Sequence, residues 1–219
     1  MDFASDMVAR AYCYQVFGSA FAAEPERELF DVLFSKETRA VFDALLPEGE
    51  RESYARYRDL WASFADDERA AFVSDQRGVY ARLFEGPSFL EAPIWESVYV
   101  SDDGLLFQES TLEVRRVYAS CGLALEGQGN EADDHLAIEL DFMRRLSLRL
   151  AEGAPSFDAE TAKAQRDFLE AHLLKWVPRF AQRLGEAEGA EFFVLLCELL
   201  LALLRTDKES LDSLLQQRA

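Results

Sequence analysis

The chain has 219 residues, of which 49% are hydrophobic, and its 41 acidic and 23 basic residues give a formal net charge of -18. This size is sufficient for one globular domain or two tightly packed subdomains. The negative charge argues against binding to nucleic acid or to an anionic membrane surface, and it favours a basic partner. An acidic surface that only keeps a protein soluble has the same composition.

The longest apolar run argues against a membrane span. Residues 192–204 form a stretch of 13 that contains Glu198, whereas a spanning helix needs about 20 apolar residues. The N-terminus carries Asp2 and Asp6 and lacks the pattern of a secretory signal. Three widely spaced cysteines without a C-x-x-C pair favour a reducing compartment. We therefore expect a soluble, cytoplasmic protein.

Helical periodicity dominates the first part of the chain. Apolar residues at 7, 11, 14, 17 and 21 predict one helix, and a similar pattern predicts a second over 51–64. Asp66 or Asp67 is a suitable N-cap for a third helix. No period-2 strand of useful length is found, and residues 96–100 are the nearest candidate. The fold class predicted is all-α.

Two irregular stretches interrupt the predicted helices. Residues 85–104 contain two prolines and two glycines together with several aromatic residues, which predicts a long connection that packs on the protein or contacts a partner. In residues 122–132, Gly122 predicts a helix stop, and further glycines predict a flexible hinge. We place the boundary between two helical subdomains there, at about 1–125 and 131–219.

The second part is predicted to be helical throughout, for a total of roughly ten helices. Asn130 or Asp133 can cap the helix after the hinge. Pro178 is expected to end or kink the following helix near Trp176 and to open the next one. The apolar helix 192–204 and a separate, short polar helix are expected to finish the chain.

His135 is the residue that most invites a chemical role. His135 and Glu139 are four apart and could share a helix face, and His172 is the other histidine, but the zinc and di-iron motifs of helical proteins are absent from the sequence, so we predict no metal site. Asp134 could orient His135 as a base, although adjacent helical residues do not face each other. The neighbouring acids are more typical of a solvated helix start. The residues alone predict that His135 is structural or partly exposed.

Four segments carry a resemblance to a known family when they are taken in order. They are APIWESVY at 92–99, STLEVRRVYASCGL at 110–123, NEADDHLAIELDFMRRL at 130–146 and FLEAHLLKWVPRFAQRL at 168–184. This ordered set resembles the TorD/DmsD family of redox-enzyme maturation chaperones, which is related to the nitrate reductase chaperones. The resemblance extends from about Met7 to about Leu204. It departs from the family pattern at Ala132 and Ile94, where prolines are usual.

The resemblance implies a cytoplasmic, all-helical chaperone that is not an enzyme and holds no cofactor. Its partners would be the twin-arginine leader and the apo form of a molybdopterin-containing reductase, held until the cofactor is inserted before export. The resemblance also implies a leader-binding surface formed by Tyr80, Leu83, Phe84, Pro87, Trp95, Ser97, Tyr99, Gly122, Asp134 and His135. The client reductase stays open, as does the choice between a monomer and a dimer that swaps domains through the hinge.

An alternative from another class is a helical hydrolase that uses Asp134 and His135. It predicts an enclosed polar pocket at His135, whereas the chaperone predicts an open groove and a peptide ligand. No residue argues for guanine-nucleotide binding. A helical DNA-binding regulator is disfavoured by the net charge and by the lack of a basic recognition helix.

Overall fold

The computed structural model describes residues 2–86, 90–101, 103–124, 132–154 and 157–217. Within these ranges it has eleven α-helices, one π-helical turn and no β-strand, which confirms the predicted all-α fold. The elements are α1 (Phe3–Ala22), α2 (Arg27–Leu33), α3 (Lys36–Leu45), α4 (Glu48–Ser63), α5 (Asp66–Phe84), α6 (Glu96–Val100), α7 (Glu109–Ser120), α8 (Leu136–Glu152), α9 (Ala159–Phe168), the π-helical turn (Leu169–Leu173), α10 (Leu174–Gly185) and α11 (Glu191–Gln217).

Helices α1 and α8 form the most extensive helix pair of the described residues. The apolar stripe predicted for α1, which includes Tyr14 and Phe17, is fully buried, and so is the stripe of α8 that includes Leu140 and Met143. Gly18 lies at this contact, where an added Cβ would meet the Cβ of Leu140 at an ordinary van der Waals distance of 3.7 Å. Helices from both sides of the predicted hinge therefore share one core. The hinge at 126–130 lies outside the described residues, and the division into two subdomains stays a prediction.

Helix α11 corrects the prediction of two separate C-terminal helices. It is continuous over 27 residues, from Glu191 to Gln217. Beyond the apolar run, its buried face continues through Asp207 and Leu211, which are both fully buried. The prediction was wrong because the sequence around Asp207 is polar, and nothing in it distinguishes a buried aspartate from a solvent-exposed one. Across the described ranges, no helix is long and apolar enough to cross a membrane.

The prediction that a helix could end near Trp176, before Pro178, is also wrong, while a kink there stays a prediction. Pro178 lies inside α10, and the π-helical turn directly precedes this helix. Proline lacks an N–H and its ring clashes with the carbonyl four residues earlier, which disrupts a helix interior. Here that carbonyl belongs to Leu174, the first residue of α10, so the disruption falls at the junction with the π-helical turn. The chain therefore stays helical from α9 through the π-helical turn into α10.

The structure differs from the predictions at two further places, the start of α5 and residues 96–100. The N-cap of α5 is Ala65, whose N–H donates to Glu68 Oε2 at 2.7 Å, while Asp66 lies in the first turn and pairs with Arg27 on α2. Residues 96–100 form the short helix α6 and are neither strand nor irregular loop.

A buried ion pair connects the first helix to the last. Arg10 on α1 contacts Asp207 on α11, and the hydroxyl of Tyr14 donates to the same carboxylate. Arg10 is 3% exposed and Asp207 is fully buried. Because the Asp207 carboxylate balances a guanidinium away from water, this contact requires both partners.

We expect Asp207→Asn to lower the free energy of unfolding by about 3 kcal/mol, because it leaves the buried Arg10 guanidinium with Asp6, 2.9 Å from its Nε, as its one remaining counter-charge. Urea unfolding followed by circular dichroism measures this. The matched control is Asp212→Asn on the same helix, whose carboxylate pairs with Lys208 at the surface and whose loss should cost less than about 1 kcal/mol. Equal effects of the two substitutions would contradict the assignment.

Candidate functional site

The three predicted site residues at the end of α5 belong to the core. Tyr80, Leu83 and Phe84 are each at most 2% exposed. The hydroxyl of Tyr80 donates to the carbonyl oxygen of Phe21 at 3.1 Å. Their side chains therefore pack inside the protein and are not accessible to a ligand at its surface.

Tyr99 joins this core from the other side. Its ring stacks on Trp176 with centroids 5.5 Å apart, and its hydroxyl donates to the carbonyl oxygen of Pro93 at 2.7 Å. The rings of Tyr99 and Phe84 both pack against the ring of Phe180, with centroid distances of 6.1 and 6.0 Å. The loop after α5 is thus anchored on α10, in agreement with the prediction that its aromatic residues pack on the protein.

The two sequence motifs around Trp95 and His135 meet in space. The residues form an isolated antiparallel bridge, and their rings lie edge to face with centroids 5.3 Å apart. Next to them, the N–H of Glu96 donates to the carbonyl oxygen of Asp134 at 3.0 Å. The start of α6 is therefore paired with the segment that leads into α8.

Asp134 is the centre of this arrangement. Its Oδ2 accepts from the N–H of Ser97 at 2.7 Å, and its Oδ1 accepts from the hydroxyl of Thr111 at 3.0 Å. Asp134 is fully buried, and Asp133, which pairs with Arg115, is 1% exposed. The prediction of a solvated helix start is therefore wrong, because the segment before α8 runs beneath α6 and α7.

His135 is the N-cap of α8. Its Nδ1 accepts from the N–H of Ala137 at 3.1 Å, so the neutral ring carries its proton on Nε2. This corrects the prediction of Asp133 as the cap; Asn130, the other candidate, lies outside the described residues. Burial lowers the pKa of His135 to about 4. Both carboxylate oxygens of Asp134 are used by other groups, so the pair is not arranged as a base with an orienting acid.

A buried polar cluster beneath α6 escaped the sequence analysis. Nδ1 of His172 lies 2.9 Å from Oε2 of Glu96, and the indole N–H of Trp176 donates to Oε2 of Glu139 at 3.0 Å. All four side chains are buried. Burial raises the pKa of Glu139, and the neighbouring Glu96 raises it further. The signal in the sequence was a charged or polar residue inside an apolar helix face.

The cluster does not form a metal site. In the part of the chain that the structure describes, no group of three or more histidine, cysteine, aspartate and glutamate side chains is placed to hold a metal ion. Glu139 was considered as a partner of His135, but its carboxylate meets Trp176 instead.

Gly122 ends α7, as predicted. Its φ of +73° lies in the left-handed region, its N–H donates to the carbonyl of Ala119 at 3.0 Å, and the N–H of Leu123 donates to that of Tyr118 at 2.9 Å. This pair of bonds is the Schellman motif, which favours glycine.

The predicted site residues differ in their access to solvent. Pro87 lies outside the described residues. Of the other nine, Gly122 is exposed and Trp95 is half-buried, while the remaining seven are buried. The positions at which the family pattern has proline, Ala132 and Ile94, are also buried, and their carbonyls accept from the N–H groups of His135 and Leu136.

Comparison with known proteins identifies the family. The model of the family described as nitrate reductase delta subunit matches residues 46–182, which is more than half of the chain. The chain belongs to this family. The resemblance to the TorD/DmsD and nitrate reductase chaperones is thereby confirmed.

Several relatives carry chaperone names. The chain is 36% identical over 124 residues to the chaperone protein TorD of Vibrio cholerae (classical Ogawa strain), which covers 56% of each chain. It is 30% identical over 206 residues to TorD of Vibrio vulnificus (strain CMCP6), covering 92% of this chain and 94% of the relative. It is 35% identical over 113 residues to the perchlorate reductase assembly chaperone protein of Dechloromonas aromatica, covering 49% of this chain and 48% of the relative. The chain thus spans about half of the first and third relatives and nearly all of the second.

The buried His135 predicts a pH dependence of stability. Between its ordinary pKa of 6.5 and its folded value of about 4, the unfolded chain binds the extra proton, so the contribution is present above pH 6.5 and is lost as pH falls through 4. In His135→Asn, which retains a capping side chain, this dependence disappears. We expect the difference in unfolding free energy between the two proteins to change by on the order of 3 kcal/mol across this window. Urea unfolding at several pH values measures it, and parallel profiles would contradict it.

Glu139 predicts a dependence of the opposite sign. Its pKa is raised in the folded protein, so its contribution is fully present below its ordinary value of 4.5 and is lost as pH rises through the folded value. Glu139→Gln keeps an acceptor for Trp176 and cannot ionise. Relative to wild type, the variant should therefore gain stability as pH increases, which the same unfolding series measures. A gain as pH decreases would show that Glu139 is ionised in the core.

Proposed function

We propose that this protein is a chaperone that binds the twin-arginine leader of a molybdopterin-containing reductase and holds the apo enzyme until its cofactor is inserted. The observation that carries the proposal is membership of the family together with a match to a TorD chaperone over nearly the whole of both chains. A further relative is named a perchlorate reductase assembly chaperone, which supports a reductase as client. This task is performed before export, so the protein works in the cytoplasm.

The charge of the protein supports a leader with two arginines. A net charge of -18 attracts a basic segment, and carboxylates bind guanidinium groups through charge-assisted hydrogen bonds. The hydrolase alternative lacks comparable support, because the Asp134 carboxylate is occupied by Ser97 and Thr111 and the relatives described above are named chaperones.

The predicted leader-binding residues take different parts in this proposal. Trp95 and Gly122 reach solvent and are available to a peptide. Asp134 and His135 are buried and would not contact the peptide directly. They would hold in place the backbone of α6, α7 and α8 near which a peptide binds. The hinge would also allow a domain-swapped dimer beside the monomer.

The test is calorimetric titration with the twin-arginine leader peptides of all molybdopterin reductases encoded in the source genome. We expect at least one to bind. We also expect its affinity to decrease when both arginines are changed to lysine, since lysine cannot form the two-pronged contact with a carboxylate, and when salt is raised.

Two controls accompany this titration. A leader with the same composition in scrambled order should bind more weakly, and circular dichroism verifies the fold at each salt concentration. Failure of every leader to bind would refute leader recognition. Binding that is indifferent to both lysine and salt would refute the use of carboxylates.

A further inference from the structure

The exposed apolar side chains of this protein are concentrated in one place. Among the described residues, seven large apolar residues are exposed, and four of them lie between positions 105 and 112. These four are Leu105, Leu106, Phe107 and Leu112, of which Phe107 is 65% exposed. Single exposed apolar residues are normal on a protein surface, whereas a contiguous group marks an interaction site. We refer to residues 103–112, which connect α6 to α7 and enter the first turn of α7, as the 103–112 segment.

The backbone of this segment holds Phe107 outward in an unfavourable conformation. Phe107 has a φ of +57° and is the one non-glycine residue with positive φ in the part of the chain that the structure describes. The left-handed region is disfavoured for bulky residues, and such strain is found mostly at functional positions. Gly104, with a φ of +61°, turns the chain just before the apolar residues.

Asp134 fixes the base of the segment from both sides. One of its oxygens holds the N–H of Ser97 in α6, and the other holds the hydroxyl of Thr111 in α7. The segment between Ser97 and Thr111 is therefore attached at both ends to the buried carboxylate of Asp134. The apolar residues lie on the part of the chain between these two attachments.

The surroundings of the apolar residues are acidic. Residues 103–113 contain Asp103, Glu109 and Glu113, while Arg115 and Arg116 follow in α7, where Arg116 pairs with Glu109 at 2.9 Å. Asp103, Glu109 and Glu113 are exposed. A ligand that complements this surface carries cationic groups beside an apolar stretch, which is the composition of a twin-arginine leader.

We propose that the 103–112 segment docks the client's leader, with the apolar stretch on Leu105 and Phe107 and the arginines on Asp103 and Glu113. In this proposal Asp134 is a positioning residue that acts through Ser97 and Thr111 and does not touch the leader. The inference rests on the proposed function and assigns its binding surface.

The first test compares two surface variants with the leader that binds wild type most tightly in the genomic set. Leu105→Ser combined with Phe107→Ser should weaken binding about tenfold or more, because the leader loses the apolar surface that it covers. The control is Leu60→Ser, which removes an apolar side chain that is 43% exposed from α4 and should leave affinity within about twofold. Circular dichroism verifies that both variants are folded.

The second test separates the positioning role of Asp134 from general stability. Thr111→Val removes the hydroxyl that its Oδ1 accepts from, whereas Thr111→Ser keeps it. Well below the unfolding temperature, the valine variant should bind the leader more weakly and show faster amide exchange at residues 103–108, and the serine variant should restore both. Unchanged exchange and affinity in the valine variant would overturn the positioning role.

The outcomes distinguish the inference from the function on which it rests. If wild type binds a leader and the serine double variant binds it equally well, the docking surface is refuted and the chaperone function stands. If the double variant changes only self-association, measured by sedimentation, a second copy covers the segment and the inference is also refuted. If wild type binds no leader, both proposals fall together.

Discussion

The carboxylate of Asp134 is the contact on which the rest of the site depends. A buried carboxylate is stable only when hydrogen bonds replace its lost water, and here the donors come from α6 and α7 while the aspartate itself precedes α8. Three chain segments must therefore be in place at once. Removal of any one donor would leave an oxygen without a partner and release the segment that carried the donor.

The acids of this protein fall into two groups with different consequences. Glu139 and Glu96 lie inside, where the raised pKa of Glu139 favours its uncharged form and His172 hydrogen-bonds to Glu96. Asp103, Glu109 and Glu113, near the 103–112 segment, are exposed to solvent. The buried group therefore shapes the core, whereas the exposed group contributes to the negative field outside the protein.

Sequence patterns predicted the parts of this structure that follow from local rules. The buried stripes of α1 and α8 follow from spacings of three and four residues, and the end of α7 follows from Gly122. The burial of Asp134 could not be predicted, because its partners Ser97 and Thr111 are 37 and 23 residues away and acids before a helix are ordinarily solvated. The same reason concealed Asp207, and with it the continuity of α11. The resemblance to a family indicated that Asp134 and His135 matter, but it gave no view of the bonds through which they act.

The ion pair between Arg10 and Asp207 spans 197 residues of sequence, and this separation affects how the protein is made. Helix α1 leaves the ribosome before the Asp207 carboxylate that pairs with Arg10 and before the α8 surface that covers its apolar face. Contacts so distant in sequence form slowly, and unfinished chains expose their apolar faces meanwhile. The apolar face of α1 therefore stays uncovered until α8 has emerged, and the buried contact of Arg10 with Asp207 forms only when most of the described residues have been synthesised.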